Sequence, residues 1–332
     1  MWQVLGQDKI LASLDYSLKT NAVAHAYLLV GPRHIGKGTL ALNLAQALNC
    51  DAPEPPCSQC RSCRRILEHK HADIVSIGLD SRAEISINEI RELQRLANLP
   101  PYEGKHKVFI INDAEYLSTE AANSLLKILE EPPPKLVWLL LTAEKSRLLP
   151  TVVSRCQQLE LKPMSLEQVE QILINLHNID TGKAKLLARL CQGCLGWALS
   201  ALADEDILVQ RAHRISTLSS LTSASLEQRF AYAQELAIQF SQNRRAVAEI
   251  MEIWLCWWHD LMLIKGVCKE AIINIDYETT LKNQAALLSL IEIKEFVIAL
   301  RSTWEELAKN VNPRLAFESL MLNMPRKEII SG

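Results

Sequence analysis

A glycine-rich stretch that begins at Gly31 limits most strongly what this chain can fold into; its sequence is Gly-Pro-Arg-His-Ile-Gly-Lys-Gly-Thr. Gly31, Gly36 and Lys37 match the pattern Gly-x-x-x-x-Gly-Lys, in which backbone N–H groups and the lysine surround phosphate oxygens. The pattern continues with Ser or Thr, which holds Mg²⁺, whereas this chain has Gly38 there and Thr39 one residue later. One residue along a helix is a rotation of about 100°, so Thr39 is displaced from the ligand position. The sequence therefore predicts a nucleotide site that lacks its magnesium ligand.

The residues on either side of this loop support a P-loop. Residues 27–30 are an apolar run typical of a buried strand, and residues 39–48 have helical spacing and good helix formers. A strand, a glycine loop and a helix in this order are the setting that a phosphate-binding loop requires. A similar loop in an unrelated α/β protein is the alternative that the motif alone leaves open.

Composition limits the class of protein. A chain of 332 residues has room for two or three domains, and its 48% hydrophobic and 22% charged residues are ordinary for a globular protein. The longest apolar run, residues 136–141, is too short to cross a bilayer, so we expect no membrane association. The chain opens without a basic and apolar leader, so we expect a cytoplasmic protein. A net charge of −2 gives no general attraction to DNA.

Four of the nine cysteines lie close together in residues 50–63. Cys50, Cys57, Cys60 and Cys63 have the spacing C-x₆-C-x₂-C-x₂-C, and an x₂ gap lets both sulfurs reach one metal. The sequence predicts a structural Zn²⁺ site in a knuckle-like insertion, with four free or buried thiols as the alternative. Four sulfur ligands leave no open position for water, so no hydrolytic role follows. Two nearby histidines are possible substitute ligands, although surface positions are expected for both: His69 and His71.

Residues 107–115 form an apolar run that ends in acids, as in a Walker-B strand. Asp113 is the candidate acid at the strand end near Mg²⁺. An active ATPase of this kind has a glutamate directly after that acid, whereas this chain has Ala114 and only then Glu115. Because a strand alternates faces at each residue, Glu115 is not expected to substitute. A strand-end cap is the alternative role for Asp113.

Further strands and helices alternate up to residue 161. A helix over residues 119–131 is predicted with Ser118 as its cap, followed by a buried strand over residues 136–142 and another over 157–161. Thr142 is placed where a phosphate-sensing side chain would lie, although a strand-end threonine is equally often a cap. This alternation predicts a parallel, doubly wound α/β sheet.

Strand signals end at Pro163, and the rest of the chain has helical patterns. The predicted domains are therefore a P-loop domain over residues 1–162 with the insertion at 50–63, a small helical domain over 163–206, and an all-α domain over 207–332. Trp254, Trp257, Trp258 and Trp304 lie among aliphatic residues, which favours a helix-packing core over a base-stacking surface.

Taken together, these features resemble the bacterial DNA polymerase III clamp-loader subunits, most closely the delta-prime type. The resemblance covers essentially the whole chain and depends on five segments: His25-Ala26-Tyr27, the cysteine insertion, residues 125–133, Ser154-Arg155-Cys156, and Asn312-Pro313-Arg314-Leu315. It implies an AAA+ ATPase-like core, a helical lid and a helical collar. Five such subunits form a ring fragment that loads the sliding clamp onto primed DNA as part of the DNA polymerase III holoenzyme, a DNA-directed DNA polymerase.

The gamma/tau type of the same family is the nearest alternative. Those ATP-hydrolysing subunits have Thr or Ser after the P-loop lysine, an Asp-Glu pair in Walker B, and an arginine before the last lid helix. The matching residues here are Gly38, Ala114 and Gly196, which favours the delta-prime type, a stator that does not itself hydrolyse ATP. The resemblance assigns Arg155, flanked by Ser154 and Cys156, as an arginine finger for ATP on a neighbouring subunit.

The implied partners are the gamma/tau and delta subunits, with the clamp and primed DNA contacted through the complex. The retained Gly36 and Lys37 leave nucleotide binding open, so ATP as a ligand is doubtful. Two other classes stay open: an active P-loop ATPase of DNA repair or transport, with Thr39 restoring Mg²⁺ binding, and a zinc-dependent nucleic-acid-binding module. The low net charge and the lack of a basic and aromatic stripe speak against the last.

Overall fold

The computed structural model describes residues 2–79, 84–266, 268–309 and 311–326, and it separates into two compact units. The first unit comprises the residues up to Ser165 together with Gly193–Trp197. Its elements are α1 (Asp8–Lys19), β1 (Ala26–Val30), α2 (Lys37–Asn49), α3 (Arg61–Leu67), β2 (Ile74–Ile77), α4 (Ile87–Ala97), β3 (Lys107–Ile111), α5 (Thr119–Glu130), β4 (Leu136–Thr142), α6 (Pro150–Val153) and β5 (Gln157–Glu160), with short 3₁₀ helices at Ala114–Tyr116 and Lys145–Arg147.

The described strands form one five-stranded sheet in the order β2-β3-β4-β1-β5, and all of its strand pairs are parallel. The prediction of a parallel α/β sheet is therefore confirmed. Its central strands are apolar at almost every position because helices cover both faces of such a sheet. Alternate residues enter two separate cores: Phe109, Trp138 and Leu140 lie on one face, and Val108 and Leu139 lie on the other.

Helix caps in this unit agree with the sequence. The Ser118 side chain accepts a hydrogen bond from the N–H of Ala121 and so begins α5 where the pattern predicted. Ser86 and Glu89 form a capping box at the start of α4. The strand predicted over residues 107–115 is shorter than expected: β3 ends at Ile111, and the acids lie beyond it in a turn and a 3₁₀ helix.

The described part of the second unit is helical. Its elements are α7 (Leu166–His177), α8 (Thr181–Cys191), α9 (Leu195–Ala203, whose first residues belong to the first unit), α10 (Asp206–Ser223), α11 (Leu226–Gln242), α12 (Arg244–Lys265), α13 (Glu278–Leu287), α14 (Leu290–Ala308) and α15 (Pro313–Asn323), with 3₁₀ helices at Lys269–Ala271 and Ile275–Tyr277. The division into domains at 163–206 and 207–332 stays a prediction, and residues 327–332 lie outside the described residues.

Tryptophans form the centre of the core of this second unit. Trp254, Trp257 and Trp258 on α12 are buried, and Trp304 packs against the same cluster, so their predicted core role is confirmed. Arg229 is fully buried on α11 and donates five hydrogen bonds to backbone carbonyls near the ends of α10 and α15. Carbonyls at helix C-termini lack a full set of intrahelical donors, so one guanidinium supplies hydrogen bonds to the ends of both helices.

Candidate functional site

The P-loop segment runs from the end of β1 into the first turn of α2, as the sequence predicts. Gly36 has a φ of 103°, in the left-handed region that favours glycine, and it directly precedes the helix. The Nζ of Lys37 donates to the carbonyl oxygens of Gly31 at 2.6 Å and Pro32 at 2.8 Å. The lysine therefore folds back across the loop and is bound by backbone carbonyls.

Two carboxylates lie near this lysine. Burial lowers the pKa of Lys37 to about 8, while the charges of Glu115 and Asp113 act in the opposite direction and raise it. Glu115 is only 7% exposed; its Oε1 accepts from the N–H of Ala143 at 3.2 Å, whereas its buried Oε2 has no hydrogen-bond partner among the described residues. Glu115 thus belongs to the site.

Face alternation would exclude Glu115 only if the strand continued past Asp113. Because β3 ends at Ile111, face alternation no longer applies, and the 3₁₀ helix brings Glu115 into the interior. Asp113 precedes that helix with a φ of 51°. The residue directly after the strand is Asn112, whose side-chain amide donates to Ser76 Oγ and to the carbonyl of Ile77.

Thr142 lies at the same edge of the sheet. It is the last residue of β4, is paired in register with Val30, and is fully buried. Its carbonyl accepts from the N–H of Gly31 at 3.1 Å, and its Oγ1 accepts from the N–H of Glu144 at 3.1 Å. Its hydroxyl thus caps the following turn next to the P-loop, an arrangement compatible with either predicted role.

The missing magnesium ligand is not explained by lack of space. Gly38 and Thr39 are both exposed in the first turn of α2, and a Cβ at Gly38 would meet no atom within 4 Å. A hydroxyl-bearing side chain would therefore fit at position 38.

Gly196 differs from Gly38 in this respect. Its N–H donates to the carbonyl oxygen of His34 in the P-loop at 3.0 Å, and a Cβ on Gly196 would lie 2.6 Å from the same oxygen. Such a contact is too short for a real Cβ unless the backbone shifts. Glycine is therefore needed at 196, and the P-loop leaves no room there for an arginine side chain.

The four predicted zinc ligands come together. The Sγ atoms of the four cysteines, Cys50, Cys57, Cys60 and Cys63, all lie within 4.8 Å of one another. Cys50 follows α2 and Cys63 lies in α3, so two helices and the loop between them supply the set. The distance from Cys57 Sγ to Cys63 Sγ is 3.9 Å. Tetrahedral Zn²⁺ with bonds of about 2.3 Å separates its sulfur ligands by roughly 3.8 Å, so the donor set fits this ion.

Backbone N–H groups point at these sulfurs. Cys60 and Gln59 donate to the sulfur of Cys57 and lower the pKa of this thiol to about 6, while burial raises the pKa of Cys63. N–H groups directed at sulfur favour the thiolate, which is the form that binds a metal. Neither histidine belongs to the cysteine group. His69 is exposed as expected, whereas the surface position expected for His71 is wrong, because His71 is buried with its Nε2 3.4 Å from Ser62 Oγ.

Arg155 lies just after the short helix α6. Its Nη1 donates to the carbonyl of Thr151 at 2.9 Å, its Nη2 donates to Glu130 Oε1 at 2.5 Å, and the side chain is 33% exposed. Ser154 Oγ also donates to the carbonyl of Thr151. Cys156 is buried, and burial raises the pKa of its thiol to about 12, so it is a packing residue here and not a thiolate.

The fold and these sites define a P-loop-type α/β protein with an altered nucleotide site, a four-thiol cluster and a partly exposed arginine. A family model described as "DNA polymerase III, delta subunit" matches residues 6–165. The DNA polymerase III subunit delta' of Bacillus subtilis is 27% identical, with 95% of each chain covered. DNA polymerase III subunit tau of Escherichia coli is 37% identical over 61% of this chain and 32% of its own length. Subunit tau of Salmonella typhimurium is 30% identical over 98% of this chain and 50% of its own length.

The chain spans from about a third to three fifths of the length of the first three tau relatives. A solved structure of a gamma subunit-related protein from Thermotoga maritima aligns with 95% of this chain and 99% of its own, with 18% identity and a TM-score of 0.44. This chain belongs to the clamp-loader family of DNA polymerase III subunits. None of the helices within the described residues is long and apolar enough to cross a membrane.

Proposed function

We propose that this chain is a delta-prime-type stator subunit of a DNA polymerase III clamp loader. In this role it hydrolyses no ATP itself and presents Arg155 to ATP bound on a neighbouring subunit. Its partners are subunits of the gamma/tau and delta types, and through the complex it takes part in loading the sliding clamp onto primed DNA. A cytoplasmic location is part of the same proposal.

The observation that carries the proposal is the contact between Gly196 and the P-loop. In the gamma/tau type an arginine stands at the position that Gly196 occupies here. The carbonyl of His34 is so close that no side chain fits at 196. Gly38 in place of the magnesium ligand and Ala114 in place of the Walker-B glutamate point to the same loss of hydrolysis. Each change affects a different part of the reaction: Gly196 the arginine contact to phosphate, Gly38 the binding of magnesium, and Ala114 the activation of water.

The position of Arg155 supports the arginine-finger part of the proposal. The side chain is partly exposed after α6, and only two of the five N–H donors of its guanidinium have partners among the described residues. An arginine that is always charged and can form two parallel hydrogen bonds suits a phosphoryl group whose charge develops during hydrolysis. The three remaining donors are sufficient for such a contact.

A structural Zn²⁺ on the four cysteines completes the proposal for this unit. The ion supplies a cross-link between the end of α2, the loop of residues 51–59 and α3, and no reaction is assigned to it. All four ligands are cysteines, so no position stays open for a substrate.

The all-helical region is proposed to hold the assembly together. Ile291 and Ile298 on α14 are 68% and 51% exposed, and Leu315 and Leu322 on α15 are 61% and 60% exposed. The two members of each pair are seven residues apart and so share one side of their helix. Large aliphatic side chains exposed in this way favour contact with another protein surface.

A second candidate function is favoured by one observation. Lys37 is present, and the buried carboxylate of Glu115 beside it has an oxygen without a hydrogen-bond partner among the described residues. These groups support an active ATPase of the gamma/tau type, or a P-loop ATPase of DNA repair, in which Glu115 takes the place of the Walker-B glutamate.

An experiment on the assembled complex tests the finger role. Arg155→Ala should leave zinc content and assembly unchanged and should lower the ATP turnover that clamp and primed DNA stimulate. Removal of a dominant arginine finger typically costs about 10³-fold or more at its site. Because only one of several ATP sites loses its finger, total turnover should fall in part. Turnover and clamp loading at the unmutated rate would show that Arg155 is not a finger.

A further inference from the structure

Arg155 is held by two groups that belong to different helices. Its Nη1 donates to the carbonyl of Thr151 in α6, and its Nη2 donates to the carboxylate of Glu130 at the end of α5. The side chains of Arg155 and Glu130 are 33% and 49% exposed, so the pair lies at the surface of the first unit.

This pair differs from an ordinary surface ion pair in its second anchor. An arginine bound only to one carboxylate can rotate about it, whereas a carbonyl and a carboxylate together fix the plane of the guanidinium. With these two hydrogen bonds formed, Nε–H and one further N–H on each Nη are left for another acceptor. A planar fork that is already oriented loses less conformational freedom when it binds a phosphate.

We propose that Glu130 is a positioning residue for Arg155, which fixes the guanidinium so that its remaining donors face ATP on the neighbouring subunit. This inference rests on the proposed function, since it requires Arg155 to act in trans. Glu130 does not contact the nucleotide itself. It acts through the orientation of Arg155, with the carbonyl of Thr151 as the second, backbone anchor.

The test uses complexes reconstituted with Glu130→Ala, Glu130→Gln and Arg155→Ala, with clamp and primed DNA present. The quantity measured is the Arg155-dependent turnover, defined for each complex as its ATP turnover minus that of the Arg155→Ala complex. Because an exposed ion pair contributes little, Glu130→Ala should lower this quantity about two- to fivefold. The effect should be on kcat, with KM for ATP unchanged. Glu130→Gln keeps a hydrogen-bond acceptor without the charge and should give an intermediate rate.

Glu131→Ala is the matched control, because Glu131 is an exposed glutamate at the end of the same helix. It should leave turnover unchanged. A second control places Glu130→Ala in the Arg155→Ala background, where a residue that acts only through Arg155 has no further effect. If Glu130 only stabilised the fold, Glu130→Ala would still lower turnover in the Arg155→Ala background and would lower the unfolding midpoint.

The possible outcomes separate this inference from the proposed function. If Arg155→Ala lowers turnover and Glu130→Ala does not, the finger role stands and the positioning role is wrong. A rise in turnover with Glu130→Ala would also overturn it, because Glu130 would then withhold Arg155 from the phosphate. If Arg155→Ala has no effect, both the finger role and the positioning role are wrong.

Discussion

Restoring the magnesium ligand should not restore hydrolysis. Gly38 is exposed in the first turn of α2, its φ is outside the left-handed region, and an added Cβ meets nothing within 4 Å. Gly38→Thr therefore places a hydroxyl at the position that the P-loop pattern requires, without a steric cost. Ala114 and Gly196 are unchanged in this variant, so under the proposed stator role water activation and the arginine contact are still absent.

The expected size of the effect on stability follows from helix propensity. Alanine is favoured over glycine in a helix by about 0.5–1 kcal/mol, and threonine by only a few tenths. In a unit of this size, 1 kcal/mol corresponds to about 2–4 °C in the unfolding midpoint. Gly38→Thr should therefore raise the midpoint by about 1 °C and Gly38→Ala by about 2 °C. The alanine variant is the matched control, since it gains stability without a hydroxyl.

The assay is ATP turnover by the purified chain with magnesium, together with thermal unfolding. We expect no turnover from the unmutated chain, from Gly38→Ala or from Gly38→Thr. Turnover that appears in Gly38→Thr alone, and that Lys37→Ala abolishes, would contradict this prediction. The inactivity would then depend on one missing ligand and not on three separate losses.

Three further predictions concern zinc, pH and the buried arginine. One Zn²⁺ per chain is expected by metal analysis, and a metal content near zero in a reduced sample would contradict this. Cys60→Ser should lose the ion and make residues 50–63 sensitive to protease, without unfolding the whole unit, because zinc contributes about 10 kcal/mol or more to folding only in small isolated modules. Folded Lys37 has a pKa of about 8 against 10.5 for the free side chain, so the unfolded chain binds more protons between these values and the free energy of unfolding should rise with pH there. Lys37→Met should remove this pH dependence of the free energy of unfolding, measured by urea titrations at several pH values. An unchanged pH dependence would show that burial does not lower the pKa of Lys37. Arg229→Met should lower the free energy of unfolding by about 3–5 kcal/mol, because five backbone carbonyls lose this donor. A decrease under about 1 kcal/mol in the same titrations would show that water replaces the guanidinium as their hydrogen-bond donor.

The parallel sheet could be predicted because its strands are short, continuous apolar runs between helices with clear caps. The four-cysteine cluster could be predicted for a similar reason, since its x₂ gaps fix local geometry whatever the rest of the fold does. In both cases the information lies within a few neighbouring residues.

The parts that could not be predicted depend on where elements end and on residues far apart in the sequence. The apolar run gives no sign that β3 ends at Ile111, so face alternation excludes Glu115 on the sequence alone. The pairing of Arg155 with Glu130 joins two helices across 25 residues, and neither residue has a local pattern that selects the other. The contact between Gly196 and His34 likewise depends on the fold, because a glycine in a sequence does not reveal what approaches it.

The stator role is tested by comparing ATP turnover by the purified chain with turnover by the complex that co-purifies with it. We expect no turnover by the chain alone. We also expect co-purification with a second P-loop subunit that has an intact Gly-Lys-Thr or Gly-Lys-Ser, whose ATP turnover with clamp and primed DNA falls with Arg155→Ala. A purified chain that hydrolyses ATP by itself, at a rate abolished by Lys37→Ala, would contradict the stator role.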